Sequence, residues 1–311
     1  MPETPELSEV KRAFLEKYLR GEVVQSSGGA HAAALPMREK PKPVVADTRS
    51  TLVPIQTAGS RRPLFYFHVH WQGGAFYGFP LARDVGADQP FYVLDPYNFD
   101  GLSVLPTLEE MAVDYIRALR AIQPEGPYLL GGFCGGGLIA SEVARQLLAE
   151  GQAVDFLLLI DPKAGPIEII RLLSRIIRRV GKLISLSPEK QVDVFLRLRH
   201  LSRWVRHAQD EYSQNFSPLS TAEELRKDWM GKFIWAISSY VPRPYPGKMT
   251  YFWAREKPAD RKVWWGKVTE TEGVEFHDID GSHETCRTEH LHDFARHLKE
   301  CLFRAQTAAS G

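Results

Sequence analysis

The stretch GGFCGGG, residues 131–137, begins inside an apolar run at Tyr128–Phe133 and precedes a helical pattern at Leu138–Glu150. A glycine-flanked residue between a strand and a helix fits the G-x-S-x-G nucleophile elbow, with Cys134 in the serine position. Glycines surround such a turn because side chains there would collide with the strand and the helix. The stretch therefore predicts a strand, a tight elbow and a helix, with Cys134 as a nucleophile.

Two local effects favour a reactive thiol at Cys134. The helix that begins next to it lowers the thiol pKa through its dipole, and the N–H of Gly135 is positioned to bind an oxyanion. Other interpretations of the stretch are a buried packing cysteine and a phosphate-binding loop. A phosphate loop needs a Lys and a Ser or Thr after its last glycine, and the sequence lacks them.

The elbow lies within an alternation of short apolar runs and amphipathic helices. One helix, Thr107–Gln123, opens with a Thr107…Glu110 capping box, and Gly151 suits the position after the helix that follows the elbow. This alternation predicts a mostly parallel α/β sheet with helices on both faces. The other predicted strands are Leu64–Val69, Phe91–Leu94, Val154–Ile160, Met249–Trp253 and Val274–Ile279.

Composition excludes several classes of protein. The 311 residues are 44% hydrophobic and 25% charged, and the net charge of +1 gives no reason to expect nucleic acid as a partner. Three cysteines cannot form a disulfide framework, and no apolar run reaches the length of a membrane span. The charged first 25 residues do not resemble a secretory signal. We expect a cytoplasmic enzyme, with a membrane partner disfavoured.

The chain divides into two parts by composition. Residues 1–20 form an amphipathic helical pattern, and linker-like sequence follows, so residues 1–60 are expected to be an N-terminal helix and a flexible linker. Residues 61–311 are expected to form the α/β domain. Residues of about 166–240 interrupt its alternation and predict a helical lid between two late strands.

Two further residues complete a candidate triad. His283 lies in a glycine-containing loop between the last predicted strand and the last helix, where an α/β-hydrolase carries its base. Asp161 ends the strand after the elbow helix, so it lies at the same sheet edge and could orient the imidazole. The rival acids are Glu256 and Asp260. A turn-capping role is the simpler alternative for Asp161.

The loop after the first predicted core strand offers the second oxyanion donor. Gly73 and Gly74 allow a backbone N–H, expected to be that of Gln72, to turn toward the reacting carbonyl. His68 and His70 alternate as metal ligands can, but no ligand cluster accompanies them, so we expect no metal. Cys286 and Cys301 are expected to be inert packing cysteines.

With these residues identified, residues of about 52–303 resemble the thioesterase domains that end nonribosomal peptide and polyketide synthases. The resemblance implies an α/β-hydrolase fold and gives Cys134, Asp161 and His283 the roles of nucleophile, acid and base. It also implies oxyanion amides at Gln72 and Gly135. Further shared motifs are His70-x-x-Gly73-Gly74, Pro80-Leu81-Ala82, Tyr128-x-x-Gly131-Gly132, Leu159-Ile160-Asp161, Pro244-Tyr245-Pro246-Gly247 and Gly281-x-His283.

The same resemblance implies the substrate and the partners. Family members take an acyl or peptidyl chain from the 4′-phosphopantetheine arm of a carrier protein, with no cofactor of their own. Because Cys134 replaces the usual serine, we expect cyclisation or transfer to an acceptor rather than plain hydrolysis. Alternatives are an aminoacyl shuttle between carriers, a free-standing cysteine hydrolase of small esters or lactones, and a non-catalytic adaptor.

The lid sequence allows three interpretations. Residues 163–207 contain 11 Lys and Arg against 3 Asp and Glu, and an apolar stripe runs from Ile169 to Val180 opposite the basic residues. The basic face could dock an acidic carrier, could be solvated while the stripe packs on the core, or could contact an anionic membrane. The aromatic residues expected to line the acyl chamber are Trp204, Tyr212, Trp229, Phe233 and Trp235.

Overall fold

A computed structural model gives the structure of the chain. It describes residues 49–50, 52–69, 78–162, 168–207, 221, 224–225, 227–241, 243–256, 265, 274–283 and 285–307, without the side chains of 203–207. The expected N-terminal helix at 1–20 and most of the expected linker lie outside these residues.

A seven-stranded sheet organises the described chain, in the order β1-β3-β2-β4-β5-β6-β7. Strand β1 is antiparallel to β3, and every other pair is parallel. The strands are β1 Leu52–Gln56, β2 Leu64–Phe67, β3 Phe91–Leu94, β4 Tyr128–Phe133, β5 Val154–Ile160, β6 Met249–Ala254 and β7 Val274–Ile279. The carboxyl ends of β2 and of β4 to β7 therefore meet at one edge, where a site is expected.

Helices cover both faces of the sheet, as the sequence predicts for an α/β-hydrolase fold. Helices α2 and α3 share one apolar core with the sheet, and α1 and α7 share the other. The described helices are α1 Gly78–Val85, α2 Leu108–Arg120, α3 Gly135–Ala149, α4 Glu168–Leu183, α5 Pro188–His207, α6 Trp229–Ile237 and α7 Leu291–Thr307. Among the described residues, no helix combines the length and apolarity needed to cross a bilayer.

The predicted local signals are present in the structure. The side chain of Thr107 accepts from the N–H of Glu110, whose carboxylate accepts in return from the N–H of Thr107. Gly151 follows α3 with a φ of 78°. Strand β1 differs from expectation, because Leu52–Gln56 falls inside the expected linker. Only five residues long and interrupted by Pro54, this edge strand lacks a clear apolar pattern.

Three described helices lie between β5 and β6, within the expected lid. Helices α4, α5 and α6 share an apolar cluster of their own, separate from the two cores at the sheet. The members of this cluster are Ile177, Val192, Phe195, Leu196, Leu225 and Trp235. The described part of the lid is thus a small helical layer with its own apolar core.

Helix α4 fits only in part the interpretation in which its apolar stripe packs on the core, because Ile177 of the stripe is buried in the lid cluster. Arg171 donates to the carbonyl of Tyr240 at 2.7 Å, and the guanidinium of Arg178 lies 4.1 Å from the ring centroid of Trp235. Most of the apolar stripe is exposed instead, at Ile169, Leu172, Ile176 and Val180. Two arginines turn inward because they find carbonyl and aromatic partners there, which periodicity alone cannot reveal.

The end of the lid is anchored to the elbow helix by a buried carboxylate. The hydroxyl of Tyr240 donates to Glu142 on α3 at 3.0 Å, and Arg145 pairs with the same carboxylate at 2.6 Å. Burial and the Glu142 charge both raise the pKa of Tyr240, so its hydroxyl remains a donor. The contact fixes the lid terminus to the helix that carries the elbow.

We expect Tyr240→Phe to lower the free energy of unfolding by about 1–3 kcal/mol, because it leaves buried Glu142 short of one donor. Urea denaturation measures the change. Tyr245→Phe is the matched control: Tyr245 is also buried, but its hydroxyl has no hydrogen-bond partner among the described residues. An equal loss in both variants would contradict the anchoring role.

Candidate active site

Cys134 occupies a strained turn between β4 and α3. Its φ of 55° and ψ of −120° lie outside the regions that residues with a Cβ favour, and it is the residue directly before the first turn of α3. The N–H of Cys134 donates to the carbonyl of Ile160 at 2.9 Å, which ties the turn to β5. This is the backbone geometry expected of a nucleophile elbow.

Close backbone packing explains two of the neighbouring glycines. A Cβ on Gly132 would lie 2.3 Å from the carbonyl oxygen of Gly136, and a Cβ on Gly136 would lie 2.2 Å from that of Phe67. No side chain fits at either distance. The two glycines therefore let α3 begin directly against the ends of β4 and β2.

Asp161 and His283 meet although 122 residues separate them. Asp161 Oδ2 contacts Nδ1 of His283, and the Asp161 side chain is fully buried just after β5. The N–H of Asp161 donates to the carbonyl of Phe252 at 2.7 Å, which fixes the aspartate between β5 and β6. Of the rival acids, Glu256 is exposed, and Asp260 lies outside the described residues.

Two residues beside His283 escaped the sequence analysis. The ring of Phe133 stacks on the imidazole with centroids 4.7 Å apart, and the guanidinium of Arg287 lies 4.6 Å from the Phe133 centroid. The available signals were the place of Phe133 directly before Cys134 and the short helix Thr285–Arg287 directly after the histidine. Neither signal shows that the rings stack.

The pKa of Tyr66 depends on charged groups around the elbow. Burial raises the pKa of Tyr66, the charge of Arg287 lowers it, and negative charge on Cys286 or Cys134 raises it. Its hydroxyl stays protonated at neutral pH. Arg287, Cys286 and Cys134 therefore all lie close enough to Tyr66 to influence its pKa.

A family model described as the thioesterase domain matches residues 62–302. The chain belongs to the thioesterase-domain family. Its fold is the α/β-hydrolase fold of that family.

Relatives of this thioesterase include long multidomain synthetases. It is 38% identical over 112 residues to the dimodular nonribosomal peptide synthase of Bacillus subtilis (strain 168), a match covering 35% of this chain and 5% of the relative. It is 24% identical over 296 residues to the atromentin synthetase of Tapinella panuoides, covering 86% of this chain and 29% of the relative. The chain thus spans a small part of the proteins it matches.

A solved thioesterase domain shares the fold. It is that of NocB, in covalent complex with a fluorophosphonate nocardicin G analogue. The two chains align with a TM-score of 0.53 and 22% sequence identity, covering 81% of this chain and 99% of the other.

The expected oxyanion donors are only partly within the described residues. Gly135 is the first residue of α3, and a Cβ there would lie 2.8 Å from Val69 and 3.1 Å from the ring of Phe233. Gln72 lies outside the described residues, as does His70. His68 is buried, with Nε2 3.5 Å from Asp95.

The structure separates the expected lid aromatics of this thioesterase. Trp229 and Phe233 stack with centroids 5.2 Å apart, and Phe233 reaches Gly135 at the elbow. Trp235 lies on the other side of α6, where it packs on Phe195 inside the lid. The side chains of Trp204 and Tyr212 are outside the described residues. Counting aromatics in the sequence could not assign them to opposite sides of one helix.

A cavity of about 650 Å³ lies between the loop after β3 and the lid. Its wall includes Trp229, whose stacked partner Phe233 leads to the elbow. Charged side chains also line it, at Asp100, Glu189, Asp193, Lys227 and Lys232. The volume is in the range of ligand pockets, and the lining combines apolar and charged side chains.

One group of potential metal ligands lies on β7 and α7. Glu275, His277 and Cys301 have ligand atoms within 4.8 Å of one another. Arg304, however, donates to Glu275 at 2.6 Å and to the Cys301 sulfur at 3.2 Å, and burial raises the pKa of the Cys301 thiol to about 11. The arrangement favours a hydrogen-bonded packing cluster over a cation site. Cys286 is also buried.

We expect Phe133→Leu to slow thiol release from a chromogenic thioester by up to about 10²-fold, because the imidazole of His283 loses the ring stacked on it. Stopped-flow release of a chromogenic thiol measures the rate. Phe156→Leu is the control, since Phe156 is equally buried in the same core cluster. A similar slowing in both variants would show that general core packing, and not the stacked ring, is responsible.

Proposed function

We propose that this thioesterase releases or transfers acyl or peptidyl chains through a covalent S-acyl intermediate on Cys134. The donor is a thioester on the phosphopantetheine arm of a carrier protein in natural-product biosynthesis. The single observation that carries the proposal is the contact between buried Asp161 and Nδ1 of His283, on the same sheet edge as the strained Cys134 turn. Membership of the family supports the choice of donor.

The first half of the reaction forms the intermediate. Asp161 accepts from Nδ1–H of His283, which leaves Nε2 as the base that takes the thiol proton of Cys134. The thiolate attacks the thioester carbonyl carbon, and the resulting oxyanion accepts from the N–H groups of Gly135 and Gln72. The C–S bond to pantetheine then breaks, and the departing sulfur receives the proton from His283.

The second half delivers the acyl group. An acceptor O–H, N–H or S–H gives its proton to His283 and attacks the acyl carbon, and Cys134 leaves as a thiolate that regains the proton. Exchange of one thioester for another is near-isoenergetic, so the acyl group remains activated. This supports cyclisation or transfer to an acceptor over plain hydrolysis.

Intact-protein mass spectrometry tests the proposal. After mixing with an acyl-loaded carrier protein, the chain should gain the mass of the acyl group, and peptide mapping should locate that mass on Cys134. Addition of amine, alcohol or thiol acceptors should discharge it faster than water alone. Turnover without any acyl adduct on Cys134 would contradict the covalent route.

A further inference from the structure

Helix α4 presents a long aliphatic surface outward. Six large side chains, five on α4 and one on the residue directly after it, are between 47% and 83% exposed, and their spacing places them along one side of the helix. They are Ile169, Leu172, Ile176, Val180, Leu183 and Ile184, which we call the α4 stripe. Contiguous apolar surface of this kind marks an interaction site in a soluble protein.

Exposed cations border the α4 stripe on one flank. Arg175, Arg179 and Lys182 are exposed, whereas Arg171 and Arg178 turn inward to their partners at Tyr240 and Trp235. Glu168 is the one acidic residue of the helix and lies at its first position. Helix α4 therefore combines an aliphatic side with a purely basic border.

Helix α5, which shares the lid cluster with α4, also has aliphatic side chains on its exposed side. It carries exposed Val194, Leu198 and Leu201 at helical spacing. Its buried residues Val192 and Phe195 share the lid cluster with Ile177 of α4, so the two helices form one packed unit.

We propose that the α4 stripe and its basic border bind an anionic lipid surface. An aliphatic side with Lys and Arg along its margin is the pattern of helices that lie in the membrane interface, with apolar side chains in the acyl boundary and cations at anionic headgroups. The α4 stripe contains no aromatic residue or methionine, the types that enrich protein–protein interfaces. Over 16 residues it is about 24 Å long, a long contact for a planar surface.

Vesicle co-sedimentation of the full chain tests this proposal. Wild type should bind phosphatidylcholine vesicles that contain phosphatidylglycerol, bind pure phosphatidylcholine more weakly, and lose affinity as salt rises. Leu172→Gln/Ile176→Gln should reduce partitioning at least about tenfold, because two exposed aliphatic groups lose their burial in the lipid boundary. Arg175→Glu/Arg179→Glu should reduce it by at least about fivefold per position on anionic vesicles.

Matched variants on other helices distinguish binding through the α4 stripe from nonspecific adsorption to vesicles. Val113→Gln/Phe303→Gln removes two exposed apolar side chains from α2 and α7, and Arg83→Glu/Arg296→Glu reverses two exposed charges on α1 and α7. Both controls should bind vesicles as wild type does. All variants alter exposed side chains, so thermal unfolding should show intact folds.

Five outcomes would overturn the proposal, and four of them concern vesicle binding or oligomeric state. These four are no sedimentation of wild type with anionic vesicles, equal binding to neutral vesicles, equal loss in control and stripe variants, and a wild-type dimer that the stripe variants convert to monomer without loss of vesicle binding. Loss of carrier-dependent turnover in the stripe variants with unchanged vesicle binding would assign the surface to a carrier protein instead, and would also overturn it.

Discussion

Replacing Cys134 by alanine should abolish the acyl adduct and lower kcat for carrier thioesters by about 10⁶-fold, as loss of a covalent nucleophile does elsewhere. Alanine retains the Cβ, so the strain at a φ of 55° is unchanged and the fold should remain. Intact mass and single-turnover kinetics measure both effects. Cys286→Ala is the control, because it removes a second thiol close to the site. An adduct that persists in Cys134→Ala would place the nucleophile elsewhere.

Replacing Cys134 by serine tests whether the cysteine favours transfer to an acceptor over hydrolysis. The variant should still form an adduct, more slowly, and should release a larger share of its product by hydrolysis. An oxygen ester is less activated than a thioester, so it passes less driving force to an amine or thiol acceptor. Product ratios in the presence of acceptor measure the partition. Identical ratios in wild type and Cys134→Ser would remove the reason for preferring transfer.

The placement of the three candidate residues at one sheet edge could be predicted because each of them follows a strand end. Cys134 follows β4 within a run of glycines, Asp161 follows β5, and His283 lies in the loop after β7. In a parallel sheet these ends meet at one edge whatever the connecting segments do, so chain order was enough. The meeting of Asp161 and His283 required no prediction of side-chain packing.

The orientation of the lid helices could not be predicted in the same way, because tertiary contacts determine which side of each helix is buried. Periodicity found an apolar stripe on α4 but left open which way it faces, and Arg178 lies inward against Trp235. The same applies to α6, where Trp229 and Trp235 face different surroundings. The free energy of burying an arginine side chain depends on the carbonyl groups and rings around it. The positions of those groups cannot be obtained from the sequence pattern.

Replacing Asp161 by asparagine should reduce kcat by about 10⁴-fold while leaving the fold intact. Asparagine has the same shape and tolerates the φ of 42° found at this position. Its amide cannot stabilise the imidazolium, and it allows the tautomer in which His283 no longer accepts a proton at Nε2. Burst kinetics with a carrier-bound thioester measure the acylation rate.

A matching substitution of Glu256 shows whether the loss of activity is specific to Asp161. Glu256 is the exposed rival acid, and Glu256→Gln should leave acylation within about twofold of wild type, as surface substitutions usually have small effects. Thermal unfolding of both variants checks that neither loses structure. If Glu256→Gln is the slower enzyme, the acid of the triad follows β6 and not β5. If neither variant is slow, His283 needs no carboxylate to act as the base, and the buried contact with Asp161 is structural.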